Sequence, residues 1–251
     1  MNLRILGIVP ARFASTRLPG KPLADIGGRS MVMRVVDQAS RSRSLQKVVV
    51  ATDDERIMEH VRHMGGEAFL TRRDHPSGTD RCHEALLACG ADRFDAVVNV
   101  QGDEPFIAPE QIDEVCAALA DPRVGIATLA QVITDDREID DPGEAKIVVD
   151  HAMNALLFSR APIPWLRTEA PGPRHARFRY LKHVGLYAYR SDVLARAVGL
   201  APSPLEQAES LEQLRWLEAG LAIRVALTRH GSFCVDTEAD LEEARRRVSR
   251  A

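Results

Sequence analysis

Two kinds of segment alternate along the first half of the chain. Short, nearly continuous apolar runs read as strands: "RILGIV" (4–9), "KVVVAT" (47–52), "EAFL" (67–70), "DAVVNVQ" (95–101) and "VGIATLAQV" (124–132). Between them, apolar residues recur every three or four positions, as on one face of a helix. These segments are "MVMRVVDQAS" (31–40), "DERIMEHVRHMGG" (54–66), "GTDRCHEALLACG" (78–90) and "PEQIDEVCAALA" (109–120). Two of them stop on glycine, and the last opens with Pro109 in its first turn. Val/Ile runs without polar alternation indicate strands covered on both faces, and strands alternating with helices indicate βαβ units. The pattern predicts a doubly wound α/β fold with a mostly parallel, Rossmann-like sheet. On such a sheet, ligands bind in the crevice beyond the carboxyl ends of the strands.

After residue 132 the pattern changes. "AKIVVD" (145–150) and "NALLFSR" (154–160) read as a hairpin, and a Pro/Arg-rich loop over 161–177 excludes helix. "FRYLKHVGLYAYR" (178–190) reads as a strand. We expect residues 133–190 to form a smaller β-rich lobe inserted in a single domain spanning 1–251. The chain closes with a helix over 211–220, a strand over 223–228, a strand-like "SFCV" and a helix within 234–248. Thr237 and Asp240 resemble a capping box at the start of that helix, with Asp in the place of Glu or Gln. Arg245, Arg246 and Arg247 follow Glu242 and Glu243, which places i,i+4 pairs on a solvated face.

Composition narrows this picture. The chain has 251 residues, 45% hydrophobic and 27% charged, and a formal net charge of -3. It has no global basic field for nucleic acid or an anionic membrane surface, so any anion site must be local. No apolar run approaches the roughly 20 residues of a membrane span, and the short run at the start is no signal peptide. Cys82, Cys89, Cys116 and Cys234 form no CxxC pair, and we expect buried, reduced thiols in a cytoplasmic protein.

Candidate chemistry gathers at the strand ends. "VPARFASTRLPGKPL" (9–23) places Arg12, Arg17 and Lys21 after the first strand, among Pro10, Pro19, Gly20 and Pro22. It is neither a Walker A motif nor GxGxxG, yet it offers amides and cations to a phosphate. "VVNVQGDEPFI" (97–107) puts Gln101 and Asp103 at the end of another strand, where a carboxylate suits magnesium shared with substrate phosphates. Asp236 has a similar placement. "TRRDHPSGTDR" (71–81) supplies Arg72, Ser77, Gly78 and Arg81, although Ser77 or Thr79 also suits an ordinary helix cap. His183 and Tyr187 share one face of a strand, and the pattern leaves open whether that face is core or site.

These motifs, with "VVVATDD", "FSRAPIPW", "HVGLYAYR", "PSPLEQAESLEQLR" and "VDTEADL", closely resemble the 3-deoxy-manno-octulosonate cytidylyltransferase family over nearly the whole chain. The resemblance implies a nucleotidyltransferase fold whose β-rich lobe serves dimerisation and sugar binding. It implies a magnesium-dependent transfer of CMP from CTP to 3-deoxy-manno-octulosonate (KDO), releasing pyrophosphate, for lipopolysaccharide synthesis by a homodimer. It assigns Arg12, Lys21, Asp103 and Asp236 to catalysis, the two aspartates holding the metal. Ala11, Arg12, Arg17, Lys21, Arg72, Ser77, Gly78, Arg81 and Gln101 fall to the nucleotide. Gln101, Arg160, His183, Tyr187, Glu212 and Gln213 fall to the sugar, with Arg160 facing its carboxylate. Cys234 stands where the family often has glycine, Gly143 where asparagine is frequent, and "AYR" replaces "GYR". Activation of a related sugar acid (8-amino-KDO or sialic-acid-like) is the nearest alternative. A non-catalytic nucleotide-binding module is another, and the presence of both aspartates argues against it. The first loop argues against a nicotinamide dehydrogenase.

Overall fold

The computed structural model describes residues 3–14, 18–168 and 171–249. Among these residues nine strands form: β1 (Ile5–Ala11), β2 (Lys47–Thr52), β3 (Ala68–Leu70), β4 (Ala96–Asn99), β5 (Ile126–Val132), β6 (Lys146–Val149), β7 (Ala155–Ser159), β8 (Leu181–Arg190) and β9 (Ile223–Leu227). The sheet order is β3-β2-β1-β4-β8-β5-β9, with β6 joined to β8 and β7 joined to β6. β3, β2, β1 and β4 run parallel, β8 is antiparallel to both β4 and β5, and β9 is parallel to β5.

Helices cover both faces of this sheet. Among the described residues they are α1 (Met31–Ala39), α2 (Glu55–His63), α3 (Gly78–Cys89), α4 (Pro109–Ala118), α5 (Asp136–Asp140), α6 (Arg174–Arg177), α7 (Ser191–Val198), α8 (Pro204–Glu209), α9 (Gln213–Glu218) and α10 (Glu238–Ser249). Leu6 and Ile8 of β1 point to the face covered by α3, α7 and α9, while Ile5 and Val9 point to the face covered by α1, α2 and α4. A strand buried on both sides has no solvent face on which to place polar residues, hence its unbroken apolar run.

The segment 133–190 supplies β6, β7 and β8. The carboxyl half of β8 lies inside the main sheet, between β4 and β5. Ile147, Phe158 and Leu181 share one core with Leu6 and Val97, so the hairpin extends the central layer. The loop expected over 161–177 ends in the short helix α6, where Asp136 accepts hydrogen bonds from the backbone amides of Arg174 and His175 at 2.9 and 3.0 Å. α5, α7 and α8 escaped the periodicity because each is short. α8 carries its own capping box between Ser203 and Glu206. "SFCV" forms no strand: Val235 N–H donates to the Asp103 carbonyl at 2.9 Å, a single cross-link without a ladder. α10 begins as expected, with Thr237 N–H donating to Asp240 at 2.8 Å and Asp240 N–H donating to Thr237 Oγ1 at 3.2 Å. The arginine run pairs at both i,i+3 and i,i+4 spacing, as Arg246 and Arg247 share Glu243.

Trp216 anchors the α9 face. It is 1% exposed and packs edge-on against Tyr187 and Tyr189 at centroid separations of 5.2 and 5.5 Å. Trp216→Ala should lower unfolding free energy by about 3–5 kcal/mol, read as a fall in the urea midpoint.

Candidate active site

Three loops converge at the carboxyl ends of β1 and β4. The first follows β1, and its shape is set by backbone constraints. Gly20 has φ +70°, and its N–H donates to the Phe13 carbonyl at 3.2 Å. That bond returns the chain on itself before a single 3-10 turn, Lys21–Leu23, with Pro22 near its start. Phe13 is held further by its N–H on Asp53 at 3.4 Å and by the Arg56 guanidinium over its ring at 3.4 Å. Arg17 lies outside the described residues.

The second loop follows β4. A Cβ on Gly102 would collide with the Pro10 carbonyl, so this position admits the β1 and β4 loops only as glycine. Such close approach sets Asp103 opposite Lys21. The third loop precedes α10 and brings in Asp236. Lys21 Nζ donates to Asp103 at 2.8 Å and to Asp236 at 3.0 Å, and its side chain is only 14% exposed. Burial lowers the affinity of the ammonium for its proton, but the two carboxylates outweigh it and raise the lysine above its usual value.

These loops line a cleft of about 440 Å³ that includes Ala11, Arg12, Lys21, Gly78, Gln101, Asp103 and Asp236. Two other clefts, of about 470 and 570 Å³, lie at the amino ends of β1 and β2 and beside the hairpin. Neither is lined by a carboxylate pair, and a further cleft of about 500 Å³ carries Asp135, Glu138, Asp141 and Glu144 around α5, away from the β1 and β4 loops.

The remaining expected residues sit around this centre. Ser77 caps α3, accepting from the amides of Thr79 and Asp80 at 3.1 and 3.2 Å, which is the ordinary cap reading. Gly78 follows it at the cleft wall. Arg81 is fully buried, with Nη2 on Asp53 at 3.2 Å and Nη1 on Thr71 at 2.5 Å. Since Asp53 also receives the Phe13 amide, Arg81 braces the loop after β1 from behind. Arg72 is exposed beside Asp74, its N–H on Glu84 at 3.1 Å. Gln101 is aimed by a bulge in β8: the register with β5 slips after Thr128, and the Gly185 carbonyl turns out to accept from Gln101 Nε2 at 3.1 Å.

The residues expected at the sugar lie further along the same face. His183 and Tyr187 stack in an aromatic column with Phe158, Tyr189 and Trp216. Burial pushes the His183 imidazole down to about 4, so it is neutral at pH 7. Tyr187 is 6% exposed, which places this part of the shared face in the core. Glu212 accepts from Thr79 Oγ1 at 2.8 Å, and its carboxyl is raised by burial. Gln213 is buried with its Nε2 atom unpartnered. The Arg160 guanidinium faces carbonyl oxygens of Glu209 and Pro142, each at 2.8 Å, rather than an open carboxylate site.

Sequence reasoning passed over Gly102, whose only signal was a glycine between two polar site residues. It also expected Cys234 to be buried. Cys234 is exposed, and its thiol, Asp103 and Asp236 bring ligand atoms within 4.8 Å of one another. The surrounding protein and then the two carboxylates raise the thiol above its ordinary value. The donor set fits a divalent cation, with two carboxylates at the floor of a cleft that Arg12 also lines.

A doubly wound sheet with cations and paired carboxylates at its carboxyl edge defines a nucleotide-binding α/β enzyme of nucleotidyltransferase type. The cytidylyltransferase family model matches residues 6–223. A 3-deoxy-manno-octulosonate cytidylyltransferase of Porphyromonas gingivalis is 47% identical, covering 97% of this chain and 96% of its own. One from Rhodopseudomonas palustris (strain HaA2) is 50% identical, covering 97% of each. Among solved structures, a CMP:2-keto-3-deoxy-manno-octonic acid synthetase complexed with CTP superposes with TM-score 0.91 at 42% identity, over 98% of this chain and 99% of that one. A 4-diphosphocytidyl-2C-methyl-D-erythritol synthase from Anaerococcus prevotii shares the fold at TM-score 0.64 and 15% identity. The chain belongs to the 3-deoxy-manno-octulosonate cytidylyltransferase family.

Glu104, next to Asp103, is 7% exposed, and burial raises its carboxyl to about 7 from 4.5. A raised folded-state value makes the acid's contribution complete below the unfolded value and lost as pH rises through the folded one. Between pH 4.5 and 7 the loss should grow to on the order of 3 kcal/mol. Glu104→Gln should abolish that part of the pH dependence, measured by urea denaturation at pH 5 and pH 8.

Proposed function

We propose that the chain transfers CMP from CTP to KDO and releases pyrophosphate. The observation that carries this reading is the Lys21 ammonium held between Asp103 and Asp236 in a cleft it shares with Arg12, at the carboxyl edge of the sheet of a chain whose relatives are cytidylyltransferases. In the reaction a sugar hydroxyl oxygen forms a bond to the α-phosphorus, the bond from that phosphorus to the bridging oxygen breaks, and the hydroxyl proton leaves. Substrate phosphates and sugar carboxylate repel one another, so positioning and charge compensation supply most of the catalysis.

Arg12 and Lys21 hold the triphosphate. Arg81, through Asp53 and Phe13, keeps the loop that carries them in shape before substrate arrives. Gln101, fixed by the Gly185 carbonyl, stands between nucleotide and sugar. Asp103 and Asp236 would hold magnesium. The ion would neutralise phosphate oxygens and favour ionisation of the attacking hydroxyl. Gly78 and the α3 amino end approach the nucleotide. The sugar extends towards Thr79 and Glu212, with His183 and Tyr187 supporting that wall from the core.

We assign the working form as a cytoplasmic homodimer serving lipopolysaccharide synthesis. Trp165 and Leu156, 81% and 62% exposed, lie with Phe178 on the hairpin and its following loop, and this apolar surface suits a second copy of the chain. No helix among the described residues is long and apolar enough to cross a membrane.

Pyrophosphate release should require CTP, KDO and magnesium together when four nucleotides and a panel of sugar acids are compared. Release with a sialic acid in place of KDO would overturn the assignment. Asp103→Asn should lower turnover by on the order of 100-fold or more, with a melting temperature within a few degrees of the parent. A collapse in melting temperature would mark Asp103 as a structural residue instead.

A further inference from the structure

Cys234 is not accounted for by the transfer reaction. Its sulfur shares a 4.8 Å cluster with one carboxylate oxygen from each of Asp103 and Asp236. Two links hold this cluster together. The Val235 amide, one residue beyond the cysteine, donates to the Asp103 carbonyl at 2.9 Å, and the Asp236 amide donates to Asp240 at 3.1 Å. The Asp103 loop is pressed against β1 at Gly102. Asp103 and Asp236 are therefore carried on fixed backbone, and Cys234 is tied to them through the Val235 amide that follows it. The remaining cysteines, Cys82, Cys89 and Cys116, are buried in the core and cannot reach this cleft.

A carboxylate pair alone suits a hard cation that keeps its waters, such as magnesium. A sulfur donor changes the preference. Zinc, cobalt(II) and cadmium form strong bonds to thiolate, whereas magnesium gains nothing from sulfur. We propose that Cys234 completes, with Asp103 and Asp236, a three-donor site for a thiophilic divalent cation, which competes with magnesium for the catalytic carboxylates. This rests on reading those aspartates as the cation-holding pair. As the metal–sulfur bond forms, the S–H bond breaks and its proton passes to solvent. Lys21, which bridges the two carboxylates in the structure, must release at least one of them. The bound ion then occupies the position from which lysine and magnesium serve the triphosphate, and the enzyme becomes sensitive to zinc or cadmium.

The test is a titration of tag-free protein with cobalt(II), followed by absorbance. The parent should develop a saturable near-ultraviolet thiolate-to-cobalt charge-transfer band together with weak visible d–d bands. Cys234→Ser should retain the visible bands, lose the near-ultraviolet band and bind cobalt weaker by on the order of tenfold or more. Asp103→Asn should weaken both signals together. A parent complex with visible bands alone would overturn the cysteine's role and leave the carboxylate pair standing. A near-ultraviolet band surviving in Cys234→Ser would overturn it equally. Failure of the parent to bind cobalt at all would remove both the three-donor site and the reading of the aspartates beneath it.

Discussion

The ammonium of Lys21, shared between Asp103 and Asp236, is the contact on which the site depends. It joins a loop after β1 to residues 82 and 215 positions further along the chain. Each carboxylate alone would repel a polyphosphate. With a lysine between them, and the Asp103 carbonyl tied to the Val235 amide, they form a mixed-charge floor whose sign depends on where the lysine points. The buried ammonium is satisfied in the free enzyme by the same oxygens that would hold a metal, so the cleft is organised before substrate enters. Removing one partner would leave a partly buried charge short of its counterion.

Much of the frame was legible because strands covered on both faces have no choice but to be apolar. β1, β2 and β4 announced themselves in this way, and Gly65 and Gly90, both at positive φ, marked helix ends that the sequence pattern placed correctly. β8 was legible as a strand but not as an interior one. Its position between β4 and β5 follows from pairing partners far away in the sequence, such as Thr128 and Asn99 opposite Tyr187, which local periodicity does not encode. Short helices such as α8, at six residues, offer too few turns for a periodic signal.

The site divides along the same line. Arg12, Lys21, Gln101 and Asp103 were visible as polar residues in loops after strands and Asp236 as one just before a helix, and tertiary packing gathers them into one cleft. The buried supports were not visible. Arg81 reads in sequence like any cation beside a phosphate motif, yet its partners are Asp53 and Thr71 in the interior. Arg160 and Tyr187 likewise carry functional side-chain types whose surroundings, carbonyl oxygens in one case and an aromatic column in the other, are set by tertiary packing.

Residues from both halves of the chain also share a satellite cluster. Leu18, Ile26 and Met31 pack with Val235, Leu241 and Ala244 of the final helix region, and Arg245 donates to the Asp25 carbonyl. During synthesis the β1 loop leaves the ribosome more than 200 residues ahead of the segment that fixes it. A nascent chain can therefore form β1, β2 and α2 while the cleft beside Lys21 lacks one carboxylate and one wall. The cleft is thus closed by contacts of long sequence separation, and its floor and wall assemble only after both segments have emerged.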